Sequence, residues 1–285
     1  MNKKNVFLDI LNIIWPVALY LLIKAFFVTA VTTFISYAKN ARLIIGNLDF
    51  STLASSADVS EMLRVLSYYT TIIVTLVCIP VFYVIYKRDK MRRNENGKKV
   101  RLSQNAVGLI VLLGVSLNVS LNNLIYLSGI AFDSEAFNET TASLYSSGLI
   151  WELLGAVILA PVAEELIFRG VLYARLKKVF PPIVSAVISG LVFGAIHGNI
   201  VQFIYAGIIG IIFAVLVEKY KTIKVSILAH ATANFVSIIS VESTMFDFMY
   251  KNNATYVAIT IASCCVAAFI IGNLSQSEKS SRSGF

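Results

Sequence analysis

Six residues in the second half of this 285-residue chain could support hydrolytic or proton-transfer chemistry: Glu164, Glu165, Arg169, His197, His230 and Asn234. Each lies in or beside an apolar run. An ionisable group at bilayer depth costs about 2.5–3.5 kcal/mol on insertion scales, so it needs a partner or a purpose. The two histidines are the only ones in the chain. Between Pro161 and Gly170, Glu165 and Arg169 stand one turn apart on one helix face, acid first, the favourable order for an ion pair. Glu164 is rotated about 100° from Glu165 and is free to face a neighbouring helix. Pro161 removes a backbone donor, frees a carbonyl about a turn earlier and bends or opens the helix beside the acids. A lone Glu–Arg pair reads as a structural brace. A second carboxylate beside it, at the same depth, needs a further reason.

Spacing then links three segments. Glu164 lies 17 residues before Pro181 and His197 lies 15 residues after Pro182, so two antiparallel helices turning at the Pro-Pro pair place both side chains at nearly one level. Gly190, Gly194 and Gly198 recur at four-residue spacing, which lets a neighbouring backbone approach closely. His230 and Asn234 are again one turn apart on one face. By itself that pair reads equally well as interhelical hydrogen-bond glue, worth about 0.6 kcal/mol. Lys24, inside the first apolar span, reads as a snorkelling or locally paired side chain.

Membrane-spanning helices must carry these groups. Hydrophobic residues make up 57% of the chain and charged ones 14%, against roughly 45–50% and about 25% in ordinary soluble domains. Mean hydropathy is +0.77. Apolar stretches recur near 10–37, 64–86, 104–128, 148–172, 182–199, 200–218, 222–241 and 254–273, with charges collected between them. A soluble enzyme, a disordered chain and a disulfide-stapled domain are excluded. The pattern predicts an all-α polytopic membrane protein of about eight helices, with the chemistry in helices four to seven. The fourth helix is expected to continue to about Lys178, and Gly198-Asn199 to form a tight turn between the fifth and sixth. The first apolar region is about twice a signal-peptide core, so an uncleaved helix is expected. Residues 1–147 form the first three helices and 148–241 the chemical core; 242–285 hold a last helix and a Ser-rich tail, 275–283, expected to be disordered.

With the N-terminus inside, 19 of the 24 Lys and Arg fall in alternate, cytoplasmic segments, while the connection 129–147 holds Asp133, Glu135 and Glu139 and no base. Both termini are therefore expected in the cytoplasm. The net charge of +8 follows these topology signals rather than a nucleic-acid groove. Cys78, Cys264 and Cys265 lie inside apolar segments without metal or disulfide spacing. There is no Gly-x-Ser-x-Gly elbow, no Gly-x-Gly-Asp and no His-Glu-x-x-His.

Glu-Glu-x-x-x-Arg over 164–169, Phe-x-x-x-His over 193–197 and His-x-x-x-Asn over 230–234 together resemble the three motifs of the CPBP (ABI) intramembrane proteases. That family includes the CAAX prenyl endopeptidases of the Ras-converting type. The resemblance covers residues 148–240, has no departure at a motif position and says little about 1–147 or the last helix. It implies that Glu164 is a general base which, with His197, holds and activates a water, and that His230 and Asn234 donate to the oxyanion. It gives Glu165, Arg169 and Phe193 a bracing and tuning role. The expected substrate is a membrane-anchored or lipid-modified, CAAX-like peptide, met in a bacterial cell membrane. The cavity is expected to open to the cytoplasmic leaflet or laterally to lipid. No cofactor is expected; the alternative is zinc on Glu164, His197 and His230. Rival readings are a non-catalytic scaffold or bacteriocin-immunity protein, and a proton-coupled transporter.

Overall fold

The computed structural model describes residues 3–41, 44–45, 48–49, 56–95, 101–243 and 251–282. Among the described residues nine helices follow in chain order: α1 Lys3–Asn40, α2 Ser56–Arg92, α3 Gln104–Ser128, α4 Glu135–Leu144, α5 Leu149–Leu176, α6 Pro182–Ala195, α7 Ile200–Tyr220, α8 Lys224–Glu242 and α9 Asn253–Arg282. A minimal antiparallel hairpin, β1 Ile44–Ile45 with β2 Leu48–Asp49, lies between α1 and α2. All eight apolar segments read from the sequence are helical. Six of them (α1, α2, α3, α7, α8 and α9) are long and apolar enough to cross a membrane.

α4 and α5, bent by 107° at the break between them, supply a seventh as a broken span or re-entrant loop. The eighth, α6, has 14 residues. At 1.5 Å per residue it reaches about 21 Å, short of a hydrocarbon core of about 30 Å. Its ends explain the length: Pro182 starts it and Gly198, at φ +79°, turns the chain back. Asn199 then caps α7, its side-chain oxygen accepting from the Gln202 amide at 2.8 Å. The polytopic all-α architecture stands, with six or seven candidate spans among the described residues.

The small residues do what their spacing requires. A methyl group added to Gly194 would sit 2.5 Å from the Phe203 carbonyl oxygen, and one on Gly190 would sit 2.7 Å from the Ile211 amide, so α6 packs backbone to backbone against α7. Gly114 brings α3 equally close to α8, with the Ala229 carbonyl 2.6 Å from its would-be Cβ. Asn123 of α3 donates to the Thr260 hydroxyl of α9 at 2.9 Å.

α5 is not a regular helix. Over Leu153–Leu159 and again over Leu166–Tyr173 it widens to five-residue hydrogen-bond spacing, an arrangement that concentrates at functional sites. Arg175 stands near its end. It is buried, pairs with Asp89 of α2 at 2.6 Å, donates to the Asn12 carbonyl of α1 at 2.5 Å and lies over the Trp15 ring. The Ser-rich stretch expected to be disordered continues α9 as helix to Arg282, since propagation adds one backbone bond for each residue fixed; residue 283 lies outside the described residues. Cys78 is buried, and all three cysteines are free.

Candidate active site

The site forms where α5, α6 and α8 meet, with α7 behind. Glu165 and Arg169 face inward from one turn of α5, their side chains wholly buried, with Nη1 donating to Oε1 at 2.9 Å. The rest of the guanidinium is held by aromatic faces rather than acceptors: it lies 4.4 Å from the Phe193 ring centroid and 5.5 Å from that of Phe213. Gly210 leaves the room, because a Cβ there would stand 3.0 Å from Arg169 Nη2. A buried arginine that stacks on two rings cannot be replaced by lysine without loss of shape.

Glu165 has a second task. Its Oε1 also accepts from His230 Nδ1 at 3.1 Å. That bond fixes the imidazole and turns Nε2 toward Glu164, whose Oε2 is 3.7 Å away. Glu164, at 16% side-chain exposure, is the one of the two adjacent acids that meets open space. The rotation read from the sequence is therefore realised: one acid braces and the other faces the cavity.

His197 follows the last turn of α6. Its Nδ1 donates to the Phe193 carbonyl at 2.8 Å, an acceptor that cannot donate, so the other ring nitrogen, Nε2, is left as a base. Phe193 sets both histidines, standing edge-on to His197 at 5.0 Å and to His230 at 5.9 Å. Asn234 Nδ2 donates to the Ala156 carbonyl of α5 at 2.7 Å. In this stretch the Ala160 amide reaches back five residues to Gly155. Ala156 would by the same spacing receive position 161, which is proline and has no N–H. Asn234 fills that gap, and one of its two amide hydrogens is thereby committed.

Glu164, Phe193, His197, His230, Asn234 and Tyr205 line a chamber of about 190 Å³. Two larger spaces adjoin it. One, of about 600 Å³, runs from Glu164 and Ala160 along α2 past Thr71 to Arg64. The other, of about 560 Å³, shares Leu144, Gln202 and Tyr205 with the chamber and continues between the ends of α3, α8 and α9. α4 bridges between them. Ser143 Oγ donates to the Arg64 carbonyl at 2.9 Å, and the Tyr145 hydroxyl donates to the Ser237 carbonyl of α8 at 3.3 Å. Both spaces lie toward the end of the bundle that carries α4. At the other end Phe168, Leu172, Leu176 and Ile223 are buried together and fill the way.

The zinc alternative fits poorly. Among the described residues no three His, Cys, Asp or Glu side chains converge to share a metal ion. The sequence reading missed Glu152, buried in α5 with Oε1 accepting from the Gly148 amide at 3.1 Å. The filter that found Glu164 applies to it equally. It also missed Phe213 and Gln202, which no spacing distinguishes from other residues of an apolar helix.

Residues 146–236 match the family described as Type II CAAX prenyl endopeptidase Rce1-like. The chain is 25% identical over 181 residues, 60% of its length and 71% of the relative's, to the Bacillus subtilis (strain 168) protein named "Putative membrane peptidase YdiL". No solved structure matches it at a significant level. The matched segment starts just before α5 and ends within α8, so it holds all three motifs, and the resemblance to the CPBP/CAAX proteases noted from those motifs stands.

Proposed function

We propose that this chain is a CPBP-type intramembrane endopeptidase that hydrolyses a peptide bond in a membrane-associated or lipid-modified, CAAX-like substrate. One observation carries the reading. A carboxylate of α5, an imidazole from the turn after α6 and another from α8 face one small chamber inside an apolar bundle, each imidazole oriented through its far nitrogen. The family match over 146–236 supports the same reaction class.

Glu164 and His197 Nε2 hold a water between them, and Glu164 takes its proton as the oxygen attacks the scissile carbonyl. Glu164 then passes that proton to the departing amine. His230, when Nε2 carries a proton, hydrogen-bonds the oxyanion, beside the second amide hydrogen of Asn234. Glu165, paired with Arg169, is a positioning residue acting through His230. No metal has a step in this scheme. A proton-relay transporter needs a path through the bundle, and the packed apolar end beyond Phe168 speaks against one.

The experiment is cleavage of membrane-tethered reporter peptides by the purified protein in liposomes. Glu164→Ala and His197→Ala are each expected to abolish cleavage while the thermal transition in detergent persists. Wild-type cleavage in both variants overturns the reading.

A further inference from the structure

We propose that Asn118 and Asn122 of α3, with Gln202 of α7, bind the main chain of the substrate and hold it extended beside Glu164. The inference rests on the peptidase reading and narrows its substrate class to a segment whose backbone N–H and C=O groups are not already paired in a helix. α3 lies outside the matched residues 146–236, so the three motifs supply the reacting groups and α3 a wall that holds the chain to be cut.

The asparagines of α3 divide into two kinds. Asn123 does what such a residue ordinarily does between membrane helices, donating to the Thr260 hydroxyl of α9 at 2.9 Å. Asn118 and Asn122, one turn apart, instead line the chamber that holds Glu164, His197 and His230. Among the described residues neither side chain has a hydrogen-bond partner. Asn118 lies ten residues inside Ser128, the last residue of α3, or about 15 Å along the axis. At that depth in a spanning helix a carboxamide with nothing to bond is costly, and polar groups so placed mark substrate paths. Gln202 enters the same chamber from α7, and its orientation is fixed. Asn199 Oδ1 accepts from the Gln202 amide at 2.8 Å, so Asn199 Nδ2 is the atom that donates to Gln202 Oε1, at 2.6 Å. Nε2, with two hydrogens, is the end turned from Asn199; the Tyr205 hydroxyl engages one, and the other is left for a ligand.

Spacing gives these groups their ligand. Asn118 and Asn122 are separated by about 6 Å of helix rise. Along an extended chain every second residue turns its N–H and C=O to the same side, about 6.6–6.8 Å apart. A carboxamide offers one acceptor and two donors, the complement of such a pair. The two asparagines therefore match two successive same-side residues of one extended segment, as an added strand matches a sheet edge. A helical segment has these groups paired internally and offers the asparagines nothing. Gln202 stands where such a segment must pass: with Leu144, it is common to the chamber and both larger spaces. Asn122 is shared by the chamber and the space between the ends of α3, α8 and α9.

The test separates binding from cleavage. A farnesylated, fluorescein-labelled peptide of CAAX type is titrated by anisotropy into liposomes holding the Glu164→Gln protein, and the titration is repeated with peptides N-methylated at one backbone amide at a time. The expected result is a loss of affinity at every second amide of one stretch, with the amides between them unaffected. Asn118→Leu combined with Asn122→Leu keeps the volume and suits a spanning helix. This pair is expected to weaken binding of the unmethylated peptide about tenfold and to erase the N-methyl penalties at an unchanged thermal midpoint. In the cleaving protein the loss of kcat/KM should fall on KM. N-methyl penalties that do not alternate, penalties of equal size with and without the asparagines, an unchanged affinity in the paired variant, or no binding of the peptide at all overturns the proposal. Asparagine-dependent binding by a protein that, with Glu164 intact, cleaves nothing would sink the peptidase reading and leave this peptide site standing.

Discussion

The amide of Asn234 in α8 donates at 2.7 Å to the carbonyl of Ala156 in α5, the acceptor that Pro161 leaves empty. A helix widened by one residue and interrupted by proline would otherwise expose an unpaired carbonyl to an apolar interior, which has no water to satisfy it. The bond thus joins the deformation that precedes Glu164 to the helix that carries His230.

Asn234→Ala should lower stability by about 1–2 kcal/mol. Pro161→Ala restores an N–H at the five-residue position and should rescue much of that loss. A double-mutant cycle of thermal unfolding in detergent checks it: strictly additive effects would show that the two residues do not serve the same carbonyl.

Arg169→Met removes the charge partner of a carboxylate that has no solvent contact, and a buried pair broken in this way costs about 3–5 kcal/mol. Arg169→Met combined with Glu165→Leu should recover most of the stability but not cleavage, because His230 Nδ1 then has no acceptor. Unfolding and activity measured on the same preparations separate bracing from positioning. Full activity in the double variant would remove Glu165 from the account.

Gly194→Ala should destabilise by about 1–3 kcal/mol and reduce cleavage, because its Cβ would displace α6 from the Phe203 carbonyl, and His197 moves with α6. Gly108→Ala, with nothing within 4 Å of the added methyl, should be neutral or slightly stabilising. The thermal midpoints of the two variants test the contrast.

Ser143→Ala and Tyr145→Phe each cut one tie that holds α4 across the chamber. Hydrogen exchange should quicken over residues 135–148, with the unfolding midpoint nearly unchanged, since α4 buries no side chain. An unaltered exchange pattern in the paired variant would mean that these bonds do not hold the bridge.

Much of this was legible from residue types. Apolar length located eight of the nine described helices, all but α4, and the i,i+4 spacings placed Glu165 with Arg169 and His230 with Asn234. Depth counting from Pro181-Pro182 set Glu164 level with His197. The two histidines stood out because lipid makes polar groups costly, so their presence alone carried information. What stayed hidden depends on register and on partners distant in the chain. The widened turns of α5 follow from how α2 and α8 pack on it; Tyr68, for example, donates to the carbonyls of Trp151 and Glu152 at 3.1 and 3.2 Å. Arg175 was counted as a topology signal because a count of bases cannot see Asp89. The place of α4 beside the chamber stayed hidden because this helix is polar and only ten residues long.

The central claim is that the Glu164 carboxylate, not merely its shape, activates water. Glu164→Gln keeps the volume and the hydrogen-bonding capacity and loses the base. With a tethered peptide that the wild-type protein cleaves, and with matched unfolding midpoints, this variant is predicted to lower kcat by about 10²–10⁴-fold. Cleavage by a well-folded Glu164→Gln protein at the wild-type rate would contradict the account.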